Sequence, residues 1–137
     1  MKAGFEFIEH MADIKFRAYG KSLNEAFENA ALAVSNYISR GKKIKALKKR
    51  KIDICGRDDK SLLYNFLDEL VYLLDAENFV IAKAKIRIKG NKLSGEIFGD
   101  DAGDYEGVDC IKSATYAEMY IKKLKSRLWE IQVVMDV

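Results

Sequence analysis

Residues 82–98 read A-K-A-K-I-R-I-K-G-N-K-L-S-G-E-I-F, and this stretch decides the fold class. Its first half alternates an apolar residue with a cation, which is the period of a strand that buries one face. Gly90 and Asn91 are the two-residue signal of a tight hairpin turn, and residues 93–98 return as the partner strand. The stretch therefore predicts an antiparallel β-hairpin with one packed face and one charged face.

Two amphipathic helices are predicted on the N-terminal side of this hairpin. Asp58 or Asp59 can cap the nearer helix, whose apolar residues form a broad stripe over residues 62–74. The other helix begins at the capping box of Ser22 and Glu25 and stops before Gly41. Each helix has an apolar face that a sheet can cover.

The remaining segments predict strands outside the hairpin. They cover residues 5–9, 14–19, the end of a basic segment near 52–54, 111–122 and 128–136. The order β-β-α-β-α-β-β-β-β predicts an α+β fold, a two-layer sandwich in which two helices pack on one face of a mostly antiparallel sheet. We expect residues 1–137 to form a single domain, since their number is typical of one domain.

Composition limits the function classes. The chain has 24 Lys and Arg against 21 Asp and Glu, and the net charge of +3 is too small to indicate nucleic-acid binding by itself. The first residues carry charge too early for a secretory signal, and no uncharged run has the roughly 20 residues of a membrane helix. We expect a cytoplasmic protein without membrane contact.

The charge is unevenly distributed. Residues 42–51 contain seven basic residues in ten, which fits either a solvated edge strand or a track for phosphates. The acidic stretch 100–109 contains Gly103 and Gly107 and lacks the ligand spacing of an EF-hand. It is either a flexible loop or a surface for docking a partner.

Carboxylates lie at both ends of the chain. Counting in steps of two, Asp13 falls on the same strand face as the polar residues Lys15 and Arg17. Asp136, next to Val137, falls on the same face of the last strand as Glu130 and Gln132. If these strands are neighbours, oxygens of all three residues converge, and calcium or magnesium prefers such oxygen ligands. The alternative is a loop cap at Asp13 and a frayed terminus at Asp136.

Two further residues are candidates for accessory roles. His10 is the single histidine of the sequence, and it is either a metal ligand or base or a hydrogen-bonded turn histidine. Lys112 can contact phosphate or carboxylate, although its segment also consists of good strand formers. We find no phosphate-binding glycine loop, nucleophile elbow or triad, so we expect no catalytic residues and no enzyme.

Five segments in order resemble the archease family. They are F-E-F-I-E-H-M-A-D-I-K-F-R-A-Y-G at 5–20, L-N-E-A-F-E-N-A-A-L-A at 23–33, L-L-Y-N-F-L-D-E-L-V-Y-L-L-D at 62–75, I-K-S-A-T-Y at 111–116 and V-V-M-D-V at 133–137. The first and last are the most specific, and the resemblance spans nearly the whole chain.

This resemblance implies an accessory protein that activates an RtcB-type tRNA-splicing ligase. The family promotes guanylylation of the active-site histidine of the ligase, folds as a small α/β sandwich and can bind calcium. By position, the implied ligands are Asp13, Asp136 and Val137. The implied partner is the ligase, with tRNA reached through it and no small-molecule substrate of its own.

The chain departs from the family pattern at two positions. Met11 replaces the usual threonine of E-H-T-A-D-I, and Ala117 replaces the histidine that usually follows K-x-x-T-Y. Ala117 removes an imidazole that could contact metal or phosphate.

The alternative function is a module that binds RNA, or docks on an RNA enzyme, through the basic segment 42–51.

Overall fold

The computed structural model describes residues 4–10 and 12–137, so Met11 lies outside the described residues. A short 3₁₀ turn covers Ala102–Asp104. The helices are α1 (Leu23–Ile38) and α2 (Asp59–Glu77), and the strands are β1 (Phe5–Ile8), β2 (Asp13–Gly20), β3 (Lys48–Cys55), β4 (Phe79–Lys89), β5 (Lys92–Asp101), β6 (Ser113–Ala114), β7 (Tyr120–Lys123) and β8 (Trp129–Asp136). Two helices and antiparallel strands confirm the predicted α+β class.

The strands form two antiparallel sheets, where the sequence predicted one. The first sheet runs β1-β2-β8, and β6 and β7 both pair with the other edge of β8. The second sheet runs β3-β5-β4. Helix α1 occupies the free edge of β4, because Glu28 Oε2 accepts a hydrogen bond from the backbone N–H of Ile86 and Asn24 Oδ1 accepts one from Ile88. These side chains satisfy donors that would otherwise be free to recruit another strand.

The apolar faces of both helices are buried in one cluster with the inner faces of the sheets. Phe27 of α1 and Phe66 of α2 are fully buried, with ring centroids 5.8 Å apart. Phe16 of β2 and Val133 of β8 are fully buried in the same cluster, as is Leu93 of β5. Burial of an aromatic or branched side chain contributes about 1.5–3 kcal/mol, so this cluster supplies most of the driving force for folding.

The predicted helix caps are confirmed. Ser22 Oγ accepts a hydrogen bond from the backbone N–H of Glu25 at 3.1 Å, and Glu25 Oε1 accepts one from the N–H of Lys21. Asp58 caps α2 in a reciprocal arrangement with Ser61. At the other end of α2, Asn78 adopts the left-handed conformation with φ of 53°, which stops the helix.

The predicted strand over 111–122 is wrong. The chain pairs with β8 twice, as β6 and β7, and leaves it between them over residues 115–119. Glu118 has a φ of 54°, which a strand does not allow. The amide of Gln132 donates to the Glu118 carbonyl, and both the hydroxyl and the backbone N–H of Thr115 donate to the Val134 carbonyl, so side-chain bonds help to hold this loop against β8.

The two charged segments have different environments. The basic segment enters β3, which is an edge strand as predicted. In the acidic stretch, Asp100 belongs to β5 and accepts a hydrogen bond from the Tyr105 hydroxyl, which together with a backbone bond holds the pKa of its carboxyl below the usual value. Asp101 Oδ1 accepts from the N–H of Gly103. Much of this acidic charge is therefore used in internal contacts.

Neither helix of the described chain is long and apolar enough to cross a membrane.

The cap of α1 predicts a stability change. Ser22→Ala removes the acceptor for the Glu25 N–H and should lower the free energy of unfolding by about 1 kcal/mol. Ser22→Asn restores an equally good cap and should lie within a few tenths of a kcal/mol of wild type. Urea denaturation of the three proteins measures both effects, and equal loss in the two variants would contradict the role of the cap.

Tyr120 predicts a loss of stability at alkaline pH. Burial, and after it the hydrogen bond to Glu130, raises the pKa of Tyr120 to about 12. The folded chain therefore retains a proton that the unfolded chain releases near pH 10, so the free energy of unfolding falls as the pH rises from about 10 to 12. Tyr120→Phe should reduce that slope in denaturation at several pH values, and an unchanged slope would contradict the assignment.

Candidate functional site

The pairing of β2 with β8 brings the two predicted aspartates together. The antiparallel register continues from Gly20 opposite Trp129 to Asp13 opposite Asp136, without interruption. Residues directly opposite in a ladder project from the same face, with Cβ atoms about 5 Å apart. Ser113 of β6 pairs with Asp136 from the other side. Asp13, Asp136 and Ser113 therefore form one row across three strands.

This row lies on the outer face of the sheet, as the parity of the residues predicted. Next along the chain, Ile14 pairs with Met135 on the core face, and Met135 is fully buried. Farther along the outer face, Arg17 pairs with Gln132, and its Nε donates to Gln132 Oε1 at 2.9 Å. Burial of the core face fixes the register, because a slip by one residue would expose that face.

The two aspartates have few partners of their own. His10 Nδ1 is buried and lies 4.0 Å from Asp13 Oδ2, too far for a hydrogen bond; within the described part of the chain it has no hydrogen-bond partner. Among the described residues, no hydrogen bond or ion pair involves the Asp136 carboxylate. Two carboxylates directly opposite in a ladder repel each other. The row thus contains two like charges without a lysine or arginine between them.

Sequence reasoning missed Glu118 as a member of this site. Its carboxylate contacts His10 Nε2 at 3.2 Å and Lys15 Nζ at 2.9 Å, which ties the 115–119 loop to β2. The hydrogen bond from Lys15, and after it that from His10, lowers the pKa of Glu118. Glu118 directly follows Ala117. The sequence placed it inside a continuous strand over 111–122, and only the loop between β6 and β7 brings its carboxylate to His10 and Lys15. His10 therefore lies beside Asp13 with its Nε2 hydrogen-bonded to Glu118.

The other predicted residues lie at the same end of the sheet. The backbone N–H of Lys112 donates to the carbonyl of Asp136 at 2.8 Å, and its side chain is exposed. Val137 is half-buried and packs against the core cluster. The structure therefore places Asp13 opposite Asp136, which Val137 follows in the chain, with His10 beside Asp13 and the backbone of Lys112 beside Asp136.

An open groove of about 540 Å³ adjoins the aspartate row. His10, Asp13 and Lys15 line one part of it, and α1 contributes Tyr37 to another. Arg40, past the end of α1, lines the same groove; its guanidinium donates to Asp109 at 2.8 Å. That bond holds the pKa of the Asp109 carboxyl low. The groove gives a ligand or partner side chain access to Asp13 from solvent.

The aspartate row fits a hard cation only in part. Two aspartates whose Cβ atoms are about 5 Å apart can direct their carboxylates to one ion, since calcium and magnesium bonds to oxygen are about 2.0–2.6 Å long. Within residues 4–10 and 12–137, no group of three His, Cys, Asp or Glu side chains is arranged to hold a metal. Val137 oxygens, water or an outside ligand would have to complete the coordination.

The comparisons with known proteins agree with one another. The sequence profile of a family described as "Archease protein family (MTH1598/TM1083)" matches residues 5–137. Proteins named "Protein archease" from Pyrococcus furiosus and Pyrococcus abyssi are 40% and 38% identical to this chain, and each alignment covers 97% of this chain and 98% of the relative.

A solved structure also matches. The solution structure of Methanobacterium thermoautotrophicum protein 1598 is 34% identical, with a TM-score of 0.79 over 98% of this chain and 99% of that one. The family description and the names of these relatives specify no catalytic reaction. Since the profile and the relatives span nearly the whole chain, the protein belongs to the archease family.

Proposed function

We propose that this chain is an accessory protein that activates an RtcB-type tRNA-splicing ligase, with a divalent cation held at Asp13, Asp136 and Val137. The observation that carries the proposal is the pair of carboxylates directly opposite each other in the β2–β8 ladder. Like charges in that position are unfavourable unless a cation lies between them. Among the described residues, no lysine or arginine side chain forms an ion pair with either one.

The chemistry of the oxygen ligands favours calcium or magnesium over softer metals. Cys and His ligands, which zinc prefers, are absent from the described row except for His10, whose Nδ1 is 4.0 Å from Asp13. Magnesium is often held by only one or two carboxylates, and substrate phosphates and water complete its shell. A site with two carboxylates suits an ion that is shared with the nucleotide of a partner.

The residues around the row would present it to a partner. The Glu118 carboxylate forms hydrogen bonds with both His10 and Lys15, so it holds the 115–119 loop beside β2, and Asp13 lines the open groove. Asp13 is about one-third exposed, which leaves it accessible. Bound there, a cation would supply positive charge for the phosphates of a nucleotide during transfer to the ligase. The chain itself contributes position and negative charge.

The substitution of alanine at position 117 limits the roles that can be assigned. Ala117 is exposed in the loop next to Glu118, and its backbone N–H donates to Thr115 Oγ1. A function that required an imidazole there has no group to perform it. The aspartate row does not depend on that side chain, so the proposal rests on the carboxylates alone.

A metal-binding measurement tests the cation. Calorimetric titration with calcium chloride and magnesium chloride should give one ion for each wild-type chain and no binding to Asp136→Asn. Without metal, the free energy of unfolding of Asp136→Asn should exceed that of wild type by a few tenths to about 1 kcal/mol, because the repulsion with Asp13 is removed. Asp75→Asn, an exposed helix position, is the control for the same change of charge. Unchanged binding in Asp136→Asn would remove the proposed ligand.

A guanylylation assay tests the activation. The wild-type chain should accelerate transfer of GMP from GTP to an RtcB-type ligase, and Asp13→Asn and Asp136→Asn should each reduce that acceleration at least about ten-fold. Asp75→Asn should stimulate like wild type. An N-terminal tag leaves Val137 unchanged. Full stimulation by folded Asp13→Asn would contradict the role of the aspartate row.

A further inference from the structure

The outer face of the β3-β5-β4 sheet contains a dense array of cations. Register places Lys51, Glu96 and Lys85 in one row across the three strands, and the neighbouring row on the same face consists of Lys49, Phe98 and Lys83. Side chains on one face of a strand repeat every 7 Å or so, and neighbouring strands are about 5 Å apart. The exposed cations on this face are Lys49, Lys51, Lys83, Lys85, Arg87, Lys89 and Lys92.

Few negative charges balance this basic sheet face. Its register positions include two carboxylates, Asp53 and Glu96, so seven cations leave an excess of five positive charges. The whole chain has a net charge of only +3. Lys49 Nζ lies 3.3 Å from Glu96 Oε2, and Lys83 lies over the ring of Phe98. Among the described residues, the other five cations form no ion pair.

Negative charge lies at one border of the basic sheet face. A groove of about 940 Å³ lies between the face and the first turns of α1; Glu25 and Glu28 line its helix side, and Lys51, Lys85 and Arg87 line its sheet side. Glu28 already accepts a backbone hydrogen bond from β4, and Glu25 accepts one from Lys21. A polyanion is therefore favoured most at the four cations of the face that lie outside this groove, Lys49, Lys83, Lys89 and Lys92.

The basic sheet face is not the basic segment of the sequence. From residues 42–51, only Lys49 and Lys51 belong to it. Arg50 faces the other way, where its Nε donates to Glu77 at 2.8 Å and its guanidinium lies 4.8 Å from the centroid of the Phe79 ring. Lys42, Lys43 and Lys45 precede β3. Most cations of the face belong to β4. The sequence predicted them as the charged side of a strand and did not show that they lie beside Lys49 and Lys51 of β3.

We propose that the basic sheet face binds the phosphate backbone of single-stranded RNA. Regularly spaced ammonium and guanidinium groups suit a chain with one negative charge for each nucleotide, and such contacts need no base sequence. A protein partner is disfavoured because interface cores are depleted of charged residues. A membrane is disfavoured because the apolar anchors are few: Leu47 near one end and the half-buried Phe98. The choice of RNA rests on the proposed function, which associates the chain with an RNA ligase.

A binding assay with matched variants tests this proposal. The probe is a fluorescein-labelled 20-nucleotide oligouridylate, measured by anisotropy at several salt concentrations between 25 and 200 mM. The face variant carries Lys83→Gln, Lys89→Gln and Lys92→Gln, three exposed cations outside the groove. The control carries Lys42→Gln, Lys43→Gln and Lys45→Gln and loses the same charge. Circular dichroism and urea denaturation check that both remain folded.

The two variants should differ sharply. Each phosphate contact contributes about 0.7 to the slope of log affinity against log salt for a single strand, so the face variant should have a slope smaller by about two. Its affinity at low salt should fall about ten-fold or more, and the control should lose less than three-fold. No binding by wild type at low salt, or equal losses in the two variants, would overturn the proposal. The proposal would also be overturned if polyglutamate or phosphatidylserine vesicles displaced the labelled oligouridylate as well as unlabelled RNA does at the same concentration of negative charge.

Guanylylation of the ligase without RNA separates this proposal from the proposed function. The face variant should stimulate guanylylation like wild type, because that step involves no RNA. Loss of stimulation would identify the face as a surface for docking protein and overturn the RNA assignment. If wild type fails to stimulate the ligase but binds oligouridylate through the face, the proposed function fails and the RNA site stands.

Discussion

The uninterrupted pairing of β2 with β8 is the constraint on which the site depends. It places Phe16 opposite Val133 in the core, and the same register places Asp13 opposite Asp136 on the outer face. Since side chains alternate between faces, a slip by one residue would expose the buried set and separate the aspartates. The cost of exposing the core therefore also maintains the close approach of two like charges, which local electrostatics alone would oppose.

The loop between β6 and β7 completes this region. Glu118 lies in this loop with a positive φ, and its carboxylate forms hydrogen bonds with the side chains of Lys15 and His10. Gln132 holds the backbone of Glu118 and also accepts a bond from Arg17. The outer face is thus covered at its middle by a polar network, while Asp13 lines an open groove. This arrangement stabilises the sheet and leaves access to the end where the proposed cation would bind.

Helix α1 explains why the fold has two sheets with different surfaces. Its Asn24 and Glu28 accept the free backbone donors of β4, so the second sheet ends there and does not join the first. One sheet can then present paired acids, and the other can present cations on a face of its own. In the proposed functions, the aspartate row serves the nucleotide step and the basic sheet face serves RNA. The separation lets either surface be changed without the other.

The sequence alone determined the kinds of elements, the helix caps, the hairpin turn at Gly90 and Asn91, and the outward parity of Asp13 and Asp136. Periodicity and capping are local, so they can be read without knowledge of neighbours in space. The pairing of β2 with β8, the division into two sheets and the approach of Glu118 to His10 were decided by the tertiary structure. Each depends on residues far apart in the chain, whose contact follows from how the helices and sheets bury their apolar faces together.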